Sequence, residues 1–350
     1  MVEKVCFAIG EIFKQHITSD YHPENPKRID AIMNFLRAFK YLDMFKIVEP
    51  EKATRDVVEL VHDPEYVEFI KVFAEAGGGH PLGDLDTLVS KKTYEVALYA
   101  AGTTIKTMRK VILGECRIGF AAIRPPGHHA HRELAKGFCI FNNIAIAAKY
   151  LLENYGYRKI AILDIDAHHG DGTQEIFYTT DKVLYISLHQ DPKTLYPGTG
   201  FPEEVGEREG EGFTVNIPLP PGTSDKGYAL ALNSIALPII ESYEPEVLLV
   251  SAGFDTHHED PLTDLNLTLK TYWRIGKALC TLLKKIEGAI AVLEGGYALN
   301  YLPKAILNLI LACSSEKPLF DEKVLLRENL GHVRKYIERC LRIHKKYWGL

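Results

Sequence analysis

The sequence predicts one α/β domain: an open, mostly parallel β-sheet with helices on both faces and a ligand site at the carboxyl ends of the strands. Three observations carry this. Short runs rich in Ile, Val and Leu recur at 117–123, 159–165, 182–188, 247–251 and 289–293. Amphipathic stretches at 142–153, 225–242, 268–285 and 301–313 alternate with them. Five of the runs end in polar, titratable or Gly-rich groups, and in open α/β sheets ligands bind beyond the carboxyl ends of the strands.

The apolar runs do not alternate with polar residues, as suits strands buried on both faces of a parallel sheet. Ser224-Asp225 and Thr268 are candidate N-caps, and Pro245 precedes a strand. Strand and helix alternate throughout, which implies right-handed crossovers in a doubly wound domain. No internal repeat or linker interrupts residues 1–350, so a single domain is expected.

Composition excludes several classes. Of 350 residues, 46% are apolar and 25% charged, unlike a disordered or fibrous chain. Lys and Arg number 41 against 46 Asp and Glu, a formal charge of −5 that argues against nucleic acid or anionic lipid as partner. No apolar run approaches the roughly 18 residues of a membrane span. The charged start Met1-Val2-Glu3-Lys4 reads as the beginning of the mature fold rather than a signal peptide. Cys6, Cys116, Cys139, Cys280, Cys313 and Cys340 are scattered without a C-x-x-C pair. A disulfide framework or thiolate zinc site is therefore not expected, and a reducing cytoplasm fits.

The strand ends carry the chemistry. Asp164, Asp166 and His168 are spaced by two, so an extended strand would send all three to one face. A carboxylate and an imidazole two apart can grip a divalent cation, and Asp255, from another strand end, supplies a third ligand. Three protein ligands leave a position open, as catalytic metal sites require; the same residues could instead cap turns. His128-His129 follows Pro-Pro-Gly, a turn able to aim both rings into a pocket. Imidazole can act as base towards water and as acid towards a leaving amine, and Asp164 and Asp171 are candidate carboxylates behind the rings. Gly295-Gly296-Tyr297 could place a hydroxyl opposite a metal, although the triplet taken alone reads more readily as a packed core Tyr. His257-His258-Glu259-Asp260 reads as a solvated loop and 203–211 as an exposed turn. Val333, Ile337 and Leu341 recur every four residues, marking a packed C-terminal helix with a basic outer face.

Six ordered blocks, 124–130, 137–139, 164–172, 196–200, 252–262 and 294–297, together with 22–29 and 343–348, make the chain resemble the metal-dependent histone deacetylase superfamily, which includes acetylpolyamine amidohydrolases and acetoin-utilisation-type proteins. The resemblance spans essentially the whole chain. It implies an arginase/deacetylase-type fold and hydrolysis of an acyl amide, foremost the acylated ε-amine of lysine. By motif, Asp166, His168 and Asp255 would hold Zn2+, or Fe2+ in some members. His129, backed by Asp171, would be the general base, and His128, backed by Asp164, its electrostatic partner; Tyr297 would polarise the acyl carbonyl. Asp86 resembles the rim aspartate, Gly137, Phe138, Tyr196, Leu262 and Gly295 would line the acyl channel, and Arg28 resembles the acetate-channel arginine. Structural K+ is expected near Asp164, Asp166, His168, Ser187 and Leu188, and near Phe177, Thr180 and Val183.

Three alternatives stand beside this reading. A dinuclear arginase-type site would need a carboxylate where Gly170 stands, two residues after His168. A non-catalytic acyl-lysine binding module would lack a base, a ligand or the Tyr. Polyamine-directed relatives resemble Asp-Pro-Glu in the loop after Asp255, whereas this chain reads Asp260-Pro261-Leu262, which favours acyl-lysine or a small acylated amine over an acetylpolyamine.

Overall fold

The computed structural model describes residues 5–324 and 326–350. Among the described residues ten strands form: β1 Val5–Ala8, β2 Lys46–Val48, β3 Gly78–Pro81, β4 Leu88–Ser90, β5 Ile118–Ala121, β6 Ile160–Asp164, β7 Val183–Gln190, β8 Thr214–Leu219, β9 Val247–Ala252 and β10 Gly288–Leu293. Eight of them build one sheet in the order β2-β1-β5-β10-β9-β6-β7-β8, while β3 and β4 pair separately as an antiparallel hairpin. Every ladder of the large sheet is parallel. Every residue of β6 to β10 is buried. Successive side chains of a strand point to opposite faces, so helices must cover both sides, as the non-alternating runs require.

The five expected strands form at β5, β6, β7, β9 and β10. The runs also missed strands. β8 reads poorly because Asn216 and Pro218 interrupt it; it lies at the sheet edge, where a missing N–H costs no ladder bond. The helices Asn143–Asn154, Leu269–Leu282 and Leu302–Ile310 match their patterns. Thr268 caps through Oγ1, which accepts from Lys270 N, whereas the Ser224 side chain makes no cap bond. The expected helix 225–242 passes through a π turn, Leu232–Ala236, just before Pro238; the wider turn accommodates a residue that cannot donate. In the C-terminal helix Leu330–His344, Val333, Ile337, Cys340 and His344 form the buried face.

Two expectations fail here. Cys6 pairs with Cys116 and Cys280 with Cys313, with Cα separations of 5.8 and 5.5 Å. The partners lie 110 and 33 residues apart, so pairing by fold, invisible to local spacing, overturns the disulfide-free reading. The segment 257–260 is also no solvated loop. His257 and Asp260 are buried, and both His257 Nε2 and His258 Nε2 lie 3.0 Å from the Glu322 carboxylate. The backbone folds back against Leu267 and aims both rings one way. His257 Nδ1 accepts from Glu259 N at 3.2 Å, so in the neutral ring Nε2 bears the proton and donates to Glu322. The cluster therefore pins the loop after β9 through hydrogen bonds. Among the described residues no helix is long and apolar enough to cross a membrane.

Candidate active site

Parallel strands bring the segments after β5, β6, β7, β9 and β10 to one edge of the sheet. After β5 the chain turns through Pro125-Pro126-Gly127. A Cβ on Gly127 would come within 2.5 Å of Asn143 N, so only glycine fits. Gly127 N and His128 N both donate to Glu294 Oε2, at 2.7 and 3.2 Å, which locks the His pair to the end of β10. His128 Nδ1 then meets Asp164 Oδ2 at 3.0 Å, and His129 Nδ1 meets Asp171 Oδ1 at 2.7 Å. The two candidate carboxylates thus stand behind the two rings, whose centroids are 4.1 Å apart.

The rings differ in charge. Burial opposes charging His128, yet the carboxylates of Asp164, Asp166 and Glu294 outweigh it and raise its pKa well above the ordinary value. Burial, reinforced by the charge on His128, lowers His129 to about 4 against the pull of Asp171. A neutral imidazole therefore sits beside a charged one. With Nδ1 of His129 taken by Asp171, Nε2 is left to accept a proton from the pocket.

Asp166, His168 and Asp255 converge, each offering a ligand atom within 4.8 Å of the others. His168 Nδ1 lies 2.8 Å from Asp255 Oδ2 and 3.1 Å from Asp166 Oδ1. The route differs from the expected extended strand: β6 ends at Asp164, and Asp166 and His168 belong to the following turn. Backbone N–H groups orient the carboxylates, Gly295 N to Asp166 Oδ2 and Ala167 N to Asp255 Oδ1, both at 2.8 Å. The donor set fits a divalent cation. Two buried carboxylates this close demand positive charge. Against the cost of burial they raise His168 to about 10, and burial and Asp166 raise Asp255 to about 7.

A cavity of about 240 Å³ opens over this set, lined by His128, His129, Asp166, His168 and Tyr297. Asp86, Gly137, Phe138, Tyr196, Leu262 and Gly295 line it as well, with Asp84, Pro126 and Leu195. A Cβ on Gly137, whose φ is +55°, would fall 2.4 Å from the His129 ring. Tyr297 is held by its backbone N on Asp260 Oδ2 at 2.7 Å, and its ring stands edge-on to Phe138 at 6.1 Å. Burial raises its hydroxyl pKa well above the usual value, so it is a neutral donor.

Asp84 was missed. Its carboxylate accepts from Gly137 N at 2.6 Å and from Tyr196 OH at 3.1 Å, so it fixes both channel walls. The sole signal was its place two residues before Asp86. Glu294, which organises the His pair, carries no signal in the sequence beyond its place between the apolar run and Gly295.

Arg28 is fully buried, donating to Glu294 O at 2.6 Å and Gly296 O at 2.9 Å, with its guanidinium 5.1 Å from the Tyr297 ring centre. It shares Glu24 with Arg124, whose Nη2 lies 2.7 Å from Glu24 Oε2. Burial works against the Glu24 charge, but Arg124 above all lowers it to about 2 from 4.5. That stabilisation is complete above the ordinary pKa and is lost as pH falls from 4.5 to about 2. Glu24→Gln leaves two buried guanidiniums undercompensated and should cost about 3–5 kcal/mol. Denaturant unfolding should show this loss near neutral pH and a flatter pH dependence below 4.5.

Of the residues expected near potassium, Asp164 and Ser187 are paired in register on β6 and β7, with Leu188 next along. Phe177, Thr180 and Val183 lie at the turn into β7, where Thr180 N donates to Phe177 O at 3.3 Å.

The Histone deacetylase domain model matches residues 22–313. A probable deacetylase of Archaeoglobus fulgidus is 43% identical, with 99% of each chain covered. Histone deacetylase 14, chloroplastic, of Arabidopsis thaliana is 35% identical over 98% of this chain and 84% of its own. The solved HDA15 HD domain has a TM-score of 0.89 at 31% identity, covering 99% of this chain and 96% of that one. The likeness extends over nearly the whole sheet and its strand-end loops, and the chain belongs to the histone deacetylase family.

Proposed function

We propose that the chain is a metal-dependent amidohydrolase that removes acetyl or other acyl groups from the ε-amine of lysine. One observation carries this reading: an Asp-His-Asp cation set, two imidazoles each backed by a carboxylate, and Tyr297 gather around one cavity. Zn2+, or Fe2+, held by Asp166, His168 and Asp255 would polarise the acyl carbonyl and acidify a water. Phe138 and Tyr196 exclude bulk solvent from the acyl chain. His129 Nε2 takes the proton of the attacking water, oriented by Asp171. Tyr297 donates to the carbonyl oxygen as negative charge develops there. His128, held charged by Asp164, stabilises that charge, and the pair returns a proton to the leaving amine. Structural K+ at the two expected sets is part of the same reading.

The substrate proposal rests on the loop after β9. Leu262 faces the cavity, and Asp260 is turned away to hold Tyr297 N and Ala298 N. Of the residues 256–264 in that loop, Leu262 lines the cavity and no carboxylate does. With enzyme of defined metal content, acetyl-lysine peptides should be cleaved faster than N-acetylpolyamines in a side-by-side kcat/KM comparison. Faster polyamine cleavage would transfer the assignment to the small-amine class. Cleavage of no acylated amine would leave the binding-module alternative standing.

A further inference from the structure

Lys136 precedes the turn that forms one wall of the acyl channel, closed by Cys139 N donating to Lys136 O at 2.9 Å. Within it, Gly137 backs onto the His129 ring and Phe138 faces the cavity. The Lys136 ammonium lies 2.6 Å from Asp171 Oδ2 and 5.3 Å from the centre of the Tyr196 ring. Asp171 gives its other oxygen, Oδ1, to His129. The Tyr196 ring stands edge-on to His129 at 5.2 Å, and its hydroxyl reaches Asp84 Oδ2, which holds Gly137 N. These contacts close a circuit: Lys136, Asp171, His129, Tyr196, Asp84, Gly137 and back to Lys136.

Building on the deacylase reading, we propose that Lys136 is a positioning residue, a charged strut that joins the carboxylate behind His129 to the aromatic wall of the channel. A carboxylate bonded through one oxygen can turn about its last torsion, whereas one gripped at both is fixed. The second grip here is charge-assisted and short. His131 Nε2 also reaches Oδ2, at 3.0 Å, but that ring is tied to Glu175 and is not among the residues that line the cavity. Lys136 alone of the two also faces an aromatic ring, so its ammonium couples the angle of the base to the position of Tyr196. A small misplacement of a base lowers turnover more than it weakens binding, because its alignment counts at the transition state.

The test compares wild type, Lys136→Met and Lys136→Arg with an acetyl-lysine peptide, following kcat, KM, metal content and melting temperature. Lys136→Met keeps the length and loses the charge. Its kcat should fall by up to about 100-fold, the scale of a small misplacement of a catalytic group, with KM, metal content and melting little changed. Lys136→Arg should recover most of the loss. A Lys136→Met enzyme with wild-type kcat overturns the proposal, as does an equal loss in both variants. A fall that tracks lost metal or lost melting temperature assigns Lys136 to the fold and overturns it too. An inactive wild type would instead refute the deacylase reading, so the two failures are distinguishable.

Discussion

Tyr297→Phe is expected to cut turnover by roughly two to three orders of magnitude, the loss that follows removal of one donor to a developing oxyanion. The substitution deletes a hydroxyl and little else. The ring keeps its edge-on contact with Phe138 and its place beside Arg28, and the backbone N keeps Asp260. Tyr297 is not among the three converging ligands, so metal content should stay at the wild-type level. Steady-state kinetics with elemental analysis on the same preparation measures both. Wild-type turnover in this variant would refute the role of the hydroxyl, and loss of metal would show that the residue supports the cation site instead.

Asp255→Asn should abolish stable cation binding, and with it activity. The substitution preserves shape: its carbonyl oxygen can still accept from Ala167 N as Asp255 Oδ1 does at 2.8 Å. What disappears is one of two anionic ligands. With its oxygen there, the Asn side chain turns its NH2 towards His168 Nδ1, which Asp255 Oδ2 meets at 2.8 Å, so the metal-free protein loses an ion-pair partner together with a buried charge. Burial and the nearby Asp166 carboxylate raise Asp255 to about 7 in the folded chain, so ionising it at neutral pH works against folding. Because this pKa is raised above the unfolded value, any stability the protonated group contributes is present at low pH and fades as pH rises towards about 7. Asn carries no such charge. Metal-free Asp255→Asn should therefore melt close to metal-free wild type at neutral pH, the lost His168 partner offsetting the lost buried charge, and a drop of several degrees would show that Asp255 holds the fold itself.

Much of this site was legible because its residues cluster at strand ends. Asp166, His168 and Asp255, the pair His128-His129, and Tyr297 each close an apolar run, and a parallel sheet gathers such ends at one edge. The local geometry was less legible. Asp166 and His168 converge through a turn held by backbone N–H groups, not through the two-residue period of a strand. Residues that act by holding others were the hardest to find. Asp84 and Glu294 work through backbone amides distant in sequence, which no spacing announces. The same holds for the cysteine pairs, for the His257-His258 clamp on Glu322, and for β8, whose Pro218 is tolerated because nothing pairs on its outer side.

The most direct test is a metal titration of chelator-stripped protein, wild type and Asp255→Asn in parallel, scored by hydrolysis of an acetyl-lysine peptide. The wild type should be inert when stripped and regain activity in proportion to added Zn2+ or Fe2+, levelling off at one equivalent per chain, while Asp255→Asn stays inert. Stripped wild type that retains full activity, or fully loaded wild type that releases no acyl group, would contradict the account.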